Sequence, residues 1–175
     1  MRQIISLILL LLVTGCTTHY PNQDIEGKRF PNVTGTSLEK QTVSLPAHVA
    51  GKPSVYLIGY KQDSQFDIDR WLIGLDMKEV DVVAFELPTI AGMFPRMFST
   101  QIDEGMRRGI PKELWGGVIT IYEDGERIQA FTGNEKPNNA RVLLLDEKGN
   151  VVYFYDSGFS VAALNELITH LAELG

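Results

Sequence analysis

Cysteine is almost absent from this sequence, with one residue in 175. A single cysteine excludes an internal disulfide, a CxxC redox pair and a zinc site built from several thiolates. Histidine is also scarce, and His19, His48 and His170 lie too far apart for an HxH or HExxH motif. The sequence also contains no phosphate-binding loop. We therefore expect neither a metal site nor a bound cofactor.

Positively charged residues are also fewer than negatively charged ones. The 16 lysines and arginines face 22 aspartates and glutamates, which gives a formal net charge of −6. Without a basic stripe, a nucleic-acid partner is not expected. The hydrophobic fraction of 44% and the charged fraction of 22% are those of an ordinary globular protein. At this length, one domain with a proper core is expected.

The chain lacks long apolar runs except at its start, over residues 4–13. Ten residues are too few to cross a hydrocarbon core of roughly 30 Å as a helix, but they suit the apolar region of a signal peptide. The following segment, Val13-Thr14-Gly15-Cys16, resembles the lipobox of bacterial lipoproteins. The resemblance implies cleavage before Cys16 and a lipid on its sulfur, which would anchor the protein to a membrane. The alternative is an ordinary secretory signal with a chance cysteine.

The sequence thus predicts a signal peptide over 1–15, a lipid-anchored tether over 16–26 and one domain over 27–175. The tether is polar and contains proline. In lipoproteins of this kind, Thr17 in place of aspartate implies sorting to the outer membrane, facing the periplasm, if the cell is Gram-negative. The expected location is therefore the cell envelope.

Apolar stretches separated by glycine and proline predict a hairpin, then alternating strands and helices, then a second hairpin and a last helix. Predicted strands cover 30–35, 41–45, 55–60, 80–87, 118–122, 141–146 and 150–155, and predicted helices cover 66–75, 93–108, 124–133 and 160–171. This alternation predicts an α/β fold with a mixed sheet and helices on both faces. Acidic residues at 63, 67 and 69 are explained by the dipole and capping of the first helix.

Three passages resemble the peroxiredoxin-related branch of the thioredoxin superfamily. They are Gly27-Lys28-Arg29-Phe30-Pro31 with Ser37-Leu38-Glu39, Gly51-Lys52-Pro53-Ser54-Val55-Tyr56-Leu57, and Arg141-Val142-Leu143-Leu144-Leu145-Asp146-Glu147-Lys148-Gly149. The resemblance implies a thioredoxin-like fold with an N-terminal β-hairpin extension. The last third, with Gly133-Asn134 before the third passage, also resembles the mitochondrial ATP-synthase assembly factors, which implies a role in assembly.

The sequence departs from the superfamily where the redox chemistry should lie. A reactive thiolate is needed at the start of the first core helix, but residues 60–65 contain no sulfur. Ser64 cannot replace the thiolate without an adjacent base. The superfamily's cis-proline should fall about where Ala140 stands, and Pro137 lies three positions too early. We therefore expect no cysteine-based active site, and we expect no catalytic residue.

Two sets of residues are candidate binding sites. The loops before the first core helix and before the last hairpin lie side by side in the superfamily, at a sheet edge that usually forms a crevice. The predicted protein-binding residues there are Gln62, Asp63, Ser64, Gln65, Ala140 and Arg141. The adjacent Arg107 and Arg108 are a candidate anion site. The alternatives are that the loops only close the fold, and that the arginines only stabilise a helix end.

The leading hypothesis is a membrane-anchored, non-catalytic thioredoxin-like module that binds a protein partner in the envelope, in assembly or maintenance. The alternative is a thioredoxin-fold oxidoreductase that acts through a non-cysteine site or a partner's thiol. A third hypothesis, an anion or small-ligand carrier, depends only on Arg107 and Arg108. An apolar surface near the Gln62 loop would favour partner binding, whereas a closed polar pocket would favour an enzyme or carrier.

Overall fold

The computed structural model describes residues 19–175, except for the side chains of residues 93 and 94. The strands are β1 Val33–Ser37, β2 Thr42–Leu45, β3 Ser54–Gly59, β4 Val83–Pro88, β5 Ile119–Thr120, β6 Arg141–Leu145 and β7 Val151–Tyr155. The helices are α1 Gln65–Met77, α2 Met93–Met97, α3 Ser99–Gly109, α4 Gly125–Thr132 and α5 Val161–Ala172. Short 3₁₀ turns occupy Ala47–Val49, Gln62–Ser64 and Lys112–Gly117. Across these residues, we find no helix with the length and apolar character needed to cross a membrane.

The strands form a mixed sheet. Four strands are in the order β4-β3-β6-β7, with β3 parallel to β4 and the other pairs antiparallel. Three strands form the antiparallel sheet β2-β1-β5. Isolated parallel bridges, Glu86 to Val118 and Thr89 to Ile121, place β5 beside β4 and join the two sheets. The predicted mixed sheet and N-terminal hairpin are confirmed.

The central strands β3 and β6 are buried on both faces, as is usual for the central strands of a sheet covered on both sides. Alternate side chains enter two cores, because successive residues of a strand point to opposite faces. One core contains Tyr56 and Leu143 and is covered by the hairpin and α4. The other contains Leu57 and Leu144 and is covered by α1 and α5. Helices therefore lie on both faces of the sheet, as predicted.

The chain before residue 27 packs against the domain. Ile25 is only 1% exposed and belongs to the core beneath the hairpin. The Tyr20 carbonyl accepts a hydrogen bond of 2.7 Å from the backbone N–H of Asn134. The side-chain nitrogen of Asn22, Nδ2, donates to the Asp156 carboxylate at 2.6 Å. Packing thus begins well before the predicted boundary at residue 27. Cys16 and the predicted signal peptide lie outside the described residues.

The structure corrects two predicted elements. The helix predicted over 93–108 is two helices, because Phe98 leaves the helical conformation with φ of −113° between α2 and α3. The strand predicted over 118–122 is reduced to two residues, because it pairs with β1 only at Ile119 and Thr120.

Candidate functional site

An open cleft of about 1090 Å³ lies between α3 and the first turn of α1 with its preceding loop. The end of β4 contributes to its lining through Glu86 and Pro88. Its apolar side chains are Phe66, Ile68, Ile90, Ile102, Met106 and Ile110. Phe66 is 71% exposed, which is unusual for an aromatic side chain of this size. The cleft thus presents apolar surface next to the Gln62 loop, where the sequence resemblance places the thiolate of redox-active relatives.

The loop that borders the cleft turns tightly over the end of β3. A Cβ atom on Gly59 would lie 2.5 Å from Ser64 Oγ, so only glycine allows this approach. The Ser64 hydroxyl donates to the Lys61 carbonyl at 2.6 Å, and Ser64 is 1% exposed. Because its proton is bound to a backbone carbonyl rather than to a base, Ser64 closes the turn and is not activated as a nucleophile.

Glu86 is a buried acid in the cleft, with 6% of its surface exposed. Burial raises its pKa, a hydrogen bond from Gln65 lowers it, and the negative charge of Asp69 raises it again, with a net upward shift. Gln65 Nε2 donates to Asp69 Oδ1 at 2.9 Å and to Glu86 Oε2 at 3.3 Å. Glu86 was not among the candidate residues expected from sequence. The available signal was an acid with apolar neighbours on both sides, within the predicted strand over 80–87.

Arg141 is fully buried at the start of β6. Its Nη1 donates to the carbonyls of Lys136 at 2.6 Å and Asn139 at 3.1 Å. Its guanidinium carbon lies 5.6 Å from the centre of the Tyr60 ring. Nε and Nη2 find no hydrogen-bond partner within the described chain. Burial lowers the pKa of Arg141, because the charged form loses its hydration.

Ala140 is also in the interior, 1% exposed. Its backbone N–H donates to Asp67 Oδ2 at 2.8 Å, and the other oxygen of Asp67 accepts from the Phe159 N–H at 2.6 Å. Asp67 itself is 6% exposed. A carboxylate from α1 therefore fixes the loop in which redox-active relatives are expected to carry their cis-proline.

The two predicted loops do meet, since Ala140 contacts α1 through Asp67 and Arg141 lies over Tyr60. The prediction of one exposed surface is nevertheless wrong for Ser64, Ala140 and Arg141, which are all buried. Gln62 and Asp63 are exposed, and Gln65 is half-buried. These three line the cleft. The candidate surface thus consists of the Gln62 loop and α3, rather than of the two loops.

Arg107 and Arg108, the predicted anion site, have different surroundings. Arg107 Nε donates to the Leu38 carbonyl at 2.7 Å, and its Nη1 lies 2.8 Å from Glu104 Oε1. Its guanidinium also lies over the Trp115 ring, 5.9 Å from the centre. Arg108 is exposed, and neighbouring residues of a helix point about 100° apart. Arg107 thus holds α3 to the turn at Leu38, and an anion site at the two arginines stays a prediction.

The potential for metal or thiol chemistry in the domain is limited by composition. Residues 19–175 contain no cysteine. Over the same residues, no group of three or more histidine, aspartate or glutamate side chains is arranged to hold a metal ion. The cleft offers amides, carboxylates, one lysine and apolar side chains, which can bind by hydrogen bonds, charge and burial of apolar surface.

Comparison with protein-family models finds no match, and comparison with curated proteins finds no similar sequence. Solved structures do match. The thiol peroxidase from Chromobacterium violaceum has a TM-score of 0.60 at 11% identity, over 90% of this chain and 93% of that one. BsSco, a member of the Sco family of cytochrome c oxidase assembly proteins, has a TM-score of 0.60 at 10% identity, over 89% and 99%. A SCO1/SenC family lipoprotein from Bacillus anthracis has a TM-score of 0.57 at 12% identity, over 83% and 94%.

These matches extend over most of both chains in each pair, so they compare whole domains. At such low identity they show a common fold and not a common activity. The four-stranded mixed sheet and the helices on both its faces agree with them. The protein is therefore an α/β protein with a thioredoxin-like fold.

Proposed function

We propose that this protein is a lipid-anchored, non-catalytic module of the cell envelope that binds a polypeptide partner through the cleft between α1 and α3. The observation that carries this proposal is the open, apolar cleft of about 1090 Å³ beside the Gln62 loop. Pockets for small molecules usually enclose about 300–1,000 Å³ and bury most of their ligand. An open cleft slightly larger than that range suits a segment of polypeptide better.

The side chains around the cleft support binding. Phe66 is 71% exposed at its border, and Ile102 and Met106 lie one turn apart on the cleft side of α3. Apolar surface that remains open to water is typical of interaction sites, because covering it releases about 25 cal/mol per Å². Aromatic and methionine side chains are also enriched in the cores of protein interfaces.

The polar groups of the cleft support a non-catalytic role. The position expected for a thiolate is occupied by a loop without sulfur, and the Ser64 hydroxyl donates to a backbone carbonyl. Catalysis by a nucleophile requires a neighbouring base that accepts its proton. The arrangement around Ser64 lacks that base, so the cleft is suited to binding.

The location is proposed from the sequence. The lipobox-like segment ends in Cys16, the only cysteine of the chain. A Bacillus anthracis protein with the same fold is named a lipoprotein, and the Sco protein with the same fold is named among assembly proteins. These names are consistent with an anchored protein that serves in assembly or maintenance of an envelope complex, on the outer membrane if the cell is Gram-negative.

The partner-binding proposal is tested with Phe66→Asp. We expect this variant to capture at least about tenfold less of the partner that the wild-type protein retains after cross-linking in native membranes, because an interface anchor is commonly worth more than 1.4 kcal/mol. Phe66 is exposed, so the thermal stability should change little. The matched control is Val161→Asp on α5, an apolar residue that is 60% exposed and lies outside the cleft. If Phe66→Asp captured as much of the partner as Val161→Asp does, the proposal would be contradicted.

The anchor is tested separately with Cys16→Ser. Without its thiol, the chain cannot receive a lipid at residue 16, so it should move from the membrane pellet to the soluble fraction. Thr17→Ser, which keeps the thiol and a hydroxyl beside it, should stay in the pellet. An intact mass of the wild-type protein with a free thiol at Cys16 would refute the anchor.

A further inference from the structure

Resting on the proposed function, we infer that the cleft selects a polypeptide segment with a basic side chain between apolar ones, and that Glu86 is the residue that binds the basic group. Three features of the molecule support this selection: the charge of the cleft, the surroundings of Glu86 and the apolar side chains nearby.

The charge of the lining is one-sided. Asp63, Asp69 and Glu86 line the cleft, against Lys61 as its one cationic lining residue. A ligand with positive charge should bind such a cleft more tightly than a neutral one, because the electrostatic potentials of two binding surfaces tend to be complementary. Glu86 is itself only 6% exposed, and burial strengthens the effect of its charge.

Glu86 lacks a cationic partner. In the part of the chain that the structure describes, no lysine or arginine nitrogen forms an ion pair with its carboxylate. The single amide nitrogen of Gln65 is shared between Glu86 and Asp69. Buried carboxylates are normally paired with a positive charge. Here a neutral amide holds two carboxylates, and an incoming ammonium or guanidinium would supply the missing charge.

The position of Glu86 favours a long basic side chain. Glu86 is on β4 and 6% exposed, so a charged group must extend inward to meet its carboxylate. Lysine and arginine can do this, because their aliphatic stems bury against apolar surface while the charged end pairs. Ile102 and Met106 on one side and Phe66 on the other can receive that stem and its apolar neighbours. A metal ion fits less well, since no three-ligand group exists among residues 19–175.

The test uses three fluorescent peptides that differ at one position, Gly-Ser-Leu-Ala-X-Ala-Leu-Ser-Gly, where X is arginine, citrulline or glutamate. Citrulline has nearly the shape of arginine without its charge. Binding to the full chain, extracted in detergent, is measured by fluorescence anisotropy at one pH and salt concentration. We expect the arginine peptide to bind at least about tenfold more tightly than the citrulline peptide, and the glutamate peptide to bind most weakly.

The variant Glu86→Gln removes the charge and keeps the shape. It should reduce the preference for arginine over citrulline to within about twofold, mainly because the arginine peptide binds more weakly. The matched control is Glu147→Gln, which removes an exposed charge in the turn between β6 and β7, outside the cleft. This control should keep the full preference for arginine.

Each other outcome overturns the inference. Equal binding of the arginine and citrulline peptides would show that charge is not selected, and polypeptide binding in the cleft would stand. A preference for arginine that survives in Glu86→Gln would show that another group binds the cation. Failure of all three peptides to bind would also refute the inference, whereas the proposed function would still be decided by capture with Phe66→Asp.

Discussion

Replacing Arg141 with glutamate is expected to lower the free energy of unfolding by about 3–5 kcal/mol, the usual cost of an uncompensated buried charge. The new carboxylate would lie in the interior, facing the carbonyl oxygens of Lys136 and Asn139 that now accept hydrogen bonds from the guanidinium. The negative charge repels these oxygens, and a carboxylate cannot donate the hydrogen bonds that they now accept. Urea unfolding followed by circular dichroism measures the change.

Arg141→Met should behave differently and stay within about 1.5 kcal/mol of the wild type, because replacing buried charge by apolar side chains is often near neutral. Methionine removes a cation whose Nε and Nη2 have no partner within the described chain, and it keeps apolar contact with Tyr60. The carbonyls of Lys136 and Asn139 belong to a partly exposed loop and can turn to water.

The control for charge reversal itself is Arg108→Glu. Arg108 is exposed at the end of α3, and exposed substitutions usually change stability by less than about 0.5 kcal/mol. If Arg141→Glu proved as mild as Arg108→Glu, Arg141 would have to be accessible to solvent. Comparing the stability losses of the two charge reversals therefore shows whether Arg141 lies in the interior or is exposed, as was expected from sequence.

Arg141 also shows where prediction from sequence fails. Arginine is almost never fully buried, so a charge at the start of a strand is normally assigned to the surface. The residues after it were correctly predicted as a strand, because they form an unbroken apolar run before the turn ending in Gly149. What no local pattern reveals is that Tyr60 and the carbonyls of the preceding loop surround the guanidinium.

The fold was largely predictable because local patterns and overall topology agree. The long apolar runs of β3 and β6, the helical spacing around Trp71 and the turn ending in Gly149 are each signals within a few residues. The cleft was not predictable, because α1 and α3 are separated by more than twenty residues and their distance depends on packing. Ile25, a lone apolar residue in a polar stretch, was missed for a similar reason.

The second large effect is expected for Asp67→Ala, which removes the acceptor of two backbone N–H groups, those of Ala140 and Phe159. Sequence alone assigned this aspartate to the dipole of α1, whereas its two oxygens hold two separate segments to the helix. A buried donor left without an acceptor costs about 1–3 kcal/mol, so we expect a loss of about 3 kcal/mol in the free energy of unfolding. At about 2–4 °C per kcal/mol for a chain of this size, Tm should fall by about 6–12 °C.

The loss should extend beyond the two hydrogen bonds. Phe159 packs edge-on against Trp71 at 5.5 Å, and a ring on a released loop would no longer support that contact. Asp67 also follows Gln65 and Phe66 in the first turn of α1, so a looser turn would misplace both at the cleft. We therefore expect weaker partner capture as well as lower stability.

The matched control is Asp69→Ala, two residues further along the same turn. Asp69 is exposed and accepts one hydrogen bond from the side chain of Gln65, so its removal should cost less than about 0.5 kcal/mol. Asp67→Asn should fall between the two, because its amide keeps one acceptor oxygen and presents an N–H₂ group to the other backbone donor. Hydrogen exchange locates the effect: the amides of Ala140 and Phe159 should lose protection in Asp67→Ala and keep it in Asp69→Ala. Unchanged protection of both amides in Asp67→Ala would show that this carboxylate does not hold the two loops, since a donor with no remaining acceptor exchanges as soon as water reaches it.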